Sequence, residues 1–213
     1  MKKKKSIVAL MMVVVMCMLS ACGTKFDAKA YVKSCLDVQF KGEFDEYMKL
    51  TESSKADSEK LYNEGIDAFM TGYEALSLPD ELENKFREAY KKMLKSAKYS
   101  VKEAKETKDG FVVKVAVQPM KCFENYEADL QKLQQKFLTD MQTQVQKEGK
   151  IPSEQEIMEQ MAEVVYKDLE ERVSKCEYGK EETIEVKVKK DSNKKYTANE
   201  TDLGKVAEKA LGV

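Results

Sequence analysis

Apolar residues in the first half of the chain recur every three or four positions, which is the spacing of one helix face. Glycines and capping residues divide this pattern into segments of helical length. The sequence predicts four helices before residue 98: 27–40 ended by Gly42, a short one at 44–50, a third from capping residues 51–54 to about Leu76, and a fourth beginning at Ser77-Leu78-Pro79-Asp80.

The period then changes from 3.6 to 2, which predicts strands. Residues 99–102 and 111–118 alternate on either side of the turn Asp109-Gly110, and residues 184–189 alternate again. A short last strand containing Tyr196 and a closing helix follow. Each strand is aliphatic on one side and charged on the other, as in antiparallel sheets with helices on one face. The fold class predicted is α+β, with the N-terminal helices packed on one face of a twisted antiparallel sheet of about four strands.

An insertion at residues 123–175 separates the second and third strands. It contains two helical patterns of nearly equal length, divided by the breaker Gly149-Lys150-Ile151-Pro152. Ser153 and Glu156 form a capping box that starts the second helix. The insertion is predicted to be a long antiparallel helical hairpin of about 35 Å, from roughly 24 residues at 1.5 Å each.

Two cysteines flank this hairpin, Cys122 before it and Cys176 after it. Matched antiparallel arms bring these positions side by side at the base, so we predict a disulfide, which an exported protein can keep. The alternative is that all three thiols of the mature chain stay reduced and buried, as we expect for Cys35 on its apolar helix face. The cysteines do not form a C-x-x-C pair, and no histidine is present to complete a zinc site.

The chain begins with a basic and apolar segment. Lys2 to Lys5 precede thirteen uncharged apolar residues, Ile7 to Leu19, which is signal-peptide architecture. A membrane-spanning helix needs about 20 apolar residues, so this run is short for a permanent anchor. The segment has two simpler interpretations, an ordinary secretory signal and an uncleaved short anchor.

Leu19-Ser20-Ala21-Cys22 resembles the lipobox of bacterial lipoproteins. The resemblance implies that Cys22 carries a diacylglycerol thioether after cleavage from Ala21. Residues 1–21 are then a cleaved signal peptide, 22–27 a short membrane-proximal linker and 28–213 a single α+β domain. The mature protein is expected on the outer face of the bacterial cytoplasmic membrane, anchored by lipid.

A second, weaker resemblance concerns the fold. Tyr31-Val32, Gly42 to Met48 and Lys195-Tyr196-Thr197 resemble segments of the cystatin-like or nuclear-transport-factor-like roll of Gram-positive lipoproteins of unknown function. The resemblance implies a scaffold and not an activity.

The composition restricts the kinds of catalytic and binding sites that the chain can form. With no histidine in 213 residues, histidine-based nucleophilic catalysis and histidine-ligated metals are excluded. Neither glycine-rich phosphate-binding motif occurs, so no cofactor is predicted. Residues 1–21 contain four lysines and no acidic residue, so the mature chain carries 33 basic and 38 acidic side chains. No nucleic-acid partner is predicted, because the basic excess that such binding needs is absent.

The leading functional hypothesis is a non-catalytic envelope module that binds another envelope protein or a small ligand. An envelope enzyme using Asp, Glu and Tyr in a cleft of the roll is one alternative, and a buried carboxylate beside a tyrosine in an enclosed cleft would favour it. A chaperone-like or structural role for the hairpin is another, which exposed Met and aromatic residues would favour. Lysines between Lys187 and Lys195 can contact anionic lipid headgroups, although a solvated hairpin end is the simpler interpretation.

Overall fold

The computed structural model describes residues 26–73, 78–192 and 195–212. Within these ranges helices come first, then a hairpin of strands, two long helices, two further strands and a closing helix. In chain order the elements are α1 (Ala28–Lys41), α2 (Asp45–Thr51), α3 (Lys55–Met70), α4 (Asp80–Lys95), β1 (Lys98–Thr107), β2 (Gly110–Gln118), α5 (Tyr126–Glu148), α6 (Glu154–Ser174), β3 (Glu182–Lys190), β4 (Tyr196–Ala198) and α7 (Glu200–Leu211).

The four strands form one antiparallel sheet in the order β1-β2-β3-β4. One face is aliphatic: Val113 and Val115 of β2 and Val186 and Val188 of β3 are buried. Helices α1 and α7 cover this face, while lysines and glutamates project from the other. The α+β class, the single helix-covered face and the four antiparallel strands predicted from the sequence are confirmed.

Strand β1 departs from simple alternation. Its register against β2 shifts between Val101, which lies opposite Val115, and Ala104, which lies opposite Val113. The extra residue is a β-bulge, which keeps aliphatic side chains on the inner face while kinking the strand. The sequence pattern shows alternation at Tyr99 and Val101 only, so the bulge was not predicted.

The third helix ends earlier than the sequence pattern predicts. α3 stops at Met70 rather than near Leu76, and a turn follows in which the Gly72 N–H donates to the Phe69 carbonyl. Glycine costs about 1 kcal/mol relative to alanine inside a helix, which favours termination here. The cap candidate Ser77 lies outside the described residues, and α4 is capped by Pro79 without a side-chain hydrogen bond.

The inserted hairpin consists of α5 and α6, and the predicted capping box at Ser153 and Glu156 is confirmed. α6 lies against α4, with the Tyr166 ring packed edge-on to Phe86 and with Leu169 and Val173 buried. α5 packs on α6, and none of its side chains is buried among the described residues. The hairpin is therefore folded against the body through one arm and exposed along the other.

The membrane-related predictions concern the chain before Phe26. The predicted signal peptide 1–21 and Cys22 lie outside the described residues. Among the residues that are described, no helix combines the length and apolar character needed to cross a bilayer.

Candidate functional site

The described chain begins at Phe26, which is packed firmly against the sheet. Its ring stacks on Tyr196 with centroids 3.8 Å apart and planes 3° from parallel, and it contacts Phe111 at 5.6 Å. Asp27 then caps α1, accepting hydrogen bonds from the backbone N–H groups of Lys29 and Ala30 at 3.0 Å each. Aromatic stacking and the cap together hold Phe26 and the start of α1 in place against the sheet.

The two cysteines that flank the hairpin meet at its base. The Sγ atoms of Cys122 and Cys176 are in bonding contact, with their Cα atoms 4.9 Å apart. The geometry is that of the predicted disulfide, and whether the bond forms in the protein stays a prediction. Cys35, the third thiol of the predicted mature chain, is buried in α1.

Arg172 reinforces the hairpin base from α6. Its guanidinium donates to Asp168 on the same helix at 2.7 Å, to Asp129 on α5 at 3.2 Å and to the Cys122 carbonyl at 3.2 Å. One planar side chain thus links both arms to the chain entering the hairpin, a geometry that suits arginine. This role of Arg172 is not predictable from the sequence, because no local pattern indicates that Asp129 faces an arginine 43 residues away.

A buried carboxylate lies beside a tyrosine where α1 meets β1. Asp37 is 7% exposed and accepts hydrogen bonds from the Tyr99 hydroxyl at 2.5 Å, from Lys41 at 3.0 Å and from Lys33. Burial alone would raise the pKa of Asp37, but the hydrogen bonds from Lys33, Tyr99 and Lys41 outweigh it and hold the pKa below its ordinary value. Burial, followed by the bond to Asp37, raises the pKa of Tyr99.

This pair does not have the properties of a catalytic acid and base. A general acid or base works best with a pKa near the operating pH, whereas here the carboxylate stays ionised and the phenol stays protonated. Neither of the two cavities described below is lined by Asp37 or Tyr99. The contact instead ties the C-terminal half of α1 to the start of β1.

A small cavity lies among α1, α2, α3, α4 and α7. Its volume is about 50 Å³, and Cys35, Leu61, Leu94 and Leu203 are among the residues that line it. Tyr62 also lines it, and its hydroxyl is buried without a hydrogen-bond partner among the described residues. Sites for drug-sized ligands have volumes of about 300–1,000 Å³, so this cavity has room for water molecules rather than for a metabolite.

A wider groove of about 520 Å³ lies open to solvent between α4 and α6. Small-molecule sites are mostly apolar with a few polar groups, whereas this lining is mainly charged. The lining residues are Glu81, Asn84, Lys85, Glu88, Ala89, Lys92, Tyr166 and Glu170. Its two lysines and three glutamates offer no concentrated charge of one sign. Among the described residues, no group of three or more cysteine or carboxylate side chains is placed to hold a metal ion.

The hairpin carries the most exposed apolar side chains of the described residues. Ile151 in the turn is 79% exposed and Leu138 on α5 is 50% exposed. The α5 stripe that faces α6 is only half-buried along its length; it consists of Leu130, Leu133, Phe137, Met141 and Val145. We call α5 together with the turn through Ile151 the hairpin surface. Exposed apolar surface of this kind is typical of protein-interaction sites.

Comparisons with known proteins inform the fold. No protein-family model matches the chain, and no curated protein matches it in sequence. Among solved structures, the crystal structure of a putative lipoprotein (ycdA) from Bacillus subtilis subsp. subtilis str. 168 is similar, with a TM-score of 0.52 and 16% sequence identity. The match covers 85% of this chain and 56% of that one, so this chain spans a little over half the length of its structural neighbour. At this identity the likeness extends to the α+β fold alone.

Proposed function

We propose that this protein is a lipid-anchored lipoprotein on the outer face of a bacterial cytoplasmic membrane. The support is the signal-peptide pattern followed by Leu19-Ser20-Ala21-Cys22. A structural neighbour described as a putative lipoprotein agrees with it. Two acyl chains on Cys22 hold a protein at a membrane stably, whereas one does so only marginally.

Mass spectrometry of the protein purified from its own host tests the anchor. We expect a chain that begins at Cys22, with residues 1–21 absent and a diacylglycerol mass on the N-terminal cysteine. A Cys22→Ser variant is expected to keep the leader and to lose the lipid mass. A wild-type chain that retains residues 1–21, or that starts at an unmodified Cys22, would contradict the proposal.

The domain is proposed to act as a non-catalytic module that binds an envelope protein through the hairpin surface. The observation that carries this is the exposure of α5, which contributes no buried side chain although it runs for 23 residues. The hairpin base lies where β2 ends and β3 begins, whereas Phe26 contacts Phe111 near the start of β2. The two ends of a nine-residue strand are about 27 Å apart at 3.3–3.4 Å per residue, so the hairpin base is set well away from the anchored end.

Cross-linking and affinity capture from solubilised envelopes test the hairpin surface. A Leu138→Glu and Ile151→Glu double variant is expected to lose most of the partner captured by the wild type, because charge replaces the two exposed apolar contacts. Asn63→Glu, at an exposed position of α3 outside the hairpin surface, is the control and is expected to capture normally. Equal capture by the wild type and the double variant would remove the hairpin surface from the proposal.

A chaperone-like role would use the same surface. Methionines suit such a role because they adapt to varied partners, but Phe137 and Met141 on α5 are half-buried rather than exposed, so the binding module is the favoured function. The capture experiment distinguishes the two functions: a binding module enriches one defined set of proteins, and a chaperone enriches many unrelated unfolded ones.

A further inference from the structure

The position of Phe26 determines which part of the domain stands nearest to the proposed lipid anchor. Four residue steps separate Cys22 from Phe26, and an extended chain spans at most about 3.6 Å per residue. The Cα atom of Phe26 therefore lies within about 14 Å of the Cα atom of the acylated cysteine.

One end of the sheet is confined to within about this distance of the anchor. Phe26 stacks on Tyr196, which is paired with Lys190 at the end of β3. The turn at Lys108 and Asp109 lies beside it, since the Lys190 N–H donates to the Asp109 carbonyl at 2.9 Å. The β1–β2 turn and the described ends of β3 and β4 thus lie together around Phe26.

This end of the sheet is rich in lysine. Its basic side chains are Lys105, Lys108, Lys187, Lys189, Lys190 and Lys195. Its carboxylates are Asp27, Glu106, Asp109 and Asp191, and Asp191 accepts a hydrogen bond from the Lys195 backbone at 2.8 Å. Two further carboxylates lie nearby and form salt bridges with other lysines, Asp202 with Lys205 and Glu103 with Lys114. None of the six lysines forms a salt bridge with a carboxylate that the structure describes. The surface is net positive although the mature chain has 33 basic and 38 acidic side chains.

We propose that these six lysines, which we call the lysine end, bind anionic lipid headgroups and hold the domain in one orientation on the membrane. The inference rests on the proposed acylation of Cys22, which brings the lysine end to the bilayer. The Debye length at physiological ionic strength is about 8 Å, and a tether of at most about 14 Å allows the lysine end to approach the headgroups to within that distance when it turns toward the bilayer. Juxtamembrane lysines and arginines are attracted to anionic leaflets in this way.

Lysine footprinting on reconstituted protein tests the orientation. Protein purified from its host membranes is placed in vesicles of phosphatidylcholine alone or of phosphatidylcholine mixed with phosphatidylglycerol, and lysines are acetylated with a water-soluble reagent. Lys108, Lys189, Lys190 and Lys195 are expected to react several-fold more slowly in the anionic vesicles. In about 1 M salt, where the Debye length is about 3 Å, the protection is expected to disappear.

Lys121 and Lys180, at the opposite end of the sheet beside the hairpin base, are the internal controls and are expected to react equally in both vesicles. A Lys108→Glu and Lys189→Glu variant should lose the protection of Lys190 and Lys195. The matched Lys121→Glu and Lys180→Glu variant should keep it. Equal reactivity of the lysine end in neutral and anionic vesicles would overturn the inference, as would equal protection of Lys121 and Lys180.

Flotation of the same vesicles separates this inference from the anchor on which it rests. A chain without lipid on Cys22 does not float with neutral vesicles, which would contradict the proposed function. A lipidated chain that floats with both vesicle types but shows no protection would contradict the lysine end alone.

Discussion

The carboxylate of Asp37 accepts hydrogen bonds from three side chains that belong to two elements, α1 and β1. Its lowered pKa means that the folded state favours the ionised form. A carboxyl group whose pKa is lower in the folded state stabilises that state above its unfolded pKa, and the contribution is lost as the pH falls through the folded value.

We therefore expect Asp37→Asn to lower the free energy of unfolding by about 1–3 kcal/mol at pH 7, since a buried charged acceptor is removed. Because unfolded aspartate has a pKa of about 3.9, the difference between wild type and variant should shrink as the pH falls below about 4. Urea denaturation of the wild type and the variant at pH 7 and at pH 3 measures the loss of stability and its decrease at low pH. Asp140→Asn, at an exposed ion pair with Lys136 on α5, should change the stability by no more than about 0.5 kcal/mol at either pH. A pH-independent effect of Asp37→Asn would contradict this account.

Gly110 opens β2 with a φ of +139°, and a Cβ at this position would lie 2.0 Å from the Val188 carbonyl oxygen. Both the backbone angle and the space require glycine. Gly110→Ala is expected to cost more than about 2 kcal/mol of stability, as substitutions at strained positive-φ sites do. Gly65→Ala in α3, where a Cβ meets nothing within 4 Å, is the control and is expected to stabilise by up to about 1 kcal/mol. Thermal unfolding of the two variants tests this prediction. Similar melting temperatures would contradict the close approach of Gly110 to the Val188 carbonyl oxygen of β3.

At the scale of elements, the hairpin is held to the sheet by three kinds of contact at its base. Cys122 and Cys176 meet there, the Lys121 N–H donates to the Glu177 carbonyl at 2.9 Å, and Arg172 links α6 to α5. The contacts of α6 with α4 then hold one arm along the body.

The predicted disulfide closes a loop of 54 residues. On the chain-entropy model a loop of this length contributes about 4 kcal/mol. We expect native protein from an oxidising preparation to resist thiol alkylation at both cysteines until it is reduced, as read by intact mass. A Cys122→Ser and Cys176→Ser double variant should unfold at a lower urea concentration than the oxidised wild type, and at about the same concentration as the reduced wild type. Rapid alkylation of both thiols without reductant would refute the bond.

Features that depend on residues close together in the sequence are predictable from it, whereas features that depend on distant residues are not. The helix order, the hairpin insertion and the Ser153 capping box depend on residues a few positions apart, and periodicity found them. The bulge after Val101 depends on how β1 meets β2, and the bond from Tyr99 to Asp37 joins residues 62 apart. Such contacts leave no local pattern. The sequence pattern places Phe26 in the linker 22–27, because nothing before α1 indicates that its ring stacks on Tyr196, 170 positions further along the chain.

For the molecule as a whole, stability is expected to decrease from the sheet toward α5. β2 is paired on both sides and its Val113 and Val115 side chains are fully buried, whereas α5 buries none. Native-state hydrogen exchange should show the slowest amides in β2 and much faster exchange in α5, with α6 between them, since local opening follows burial. Protection of α5 as strong as that of β2 would indicate that the hairpin is covered in solution, by a second copy or by another contact.

The bulge in β1 bears on how copies of this protein behave at high density. β1 is an edge strand of ten residues, and a long straight edge is a template for pairing with another sheet. The kink after Val101 interrupts the run of free backbone groups, and charged side chains line the strand, three of them lysines and two of them glutamates. A bulged edge that carries lysines is a poor template for a second sheet. On a crowded surface, where copies of a bound protein meet often, β1 is therefore expected to resist pairing edge to edge with another copy.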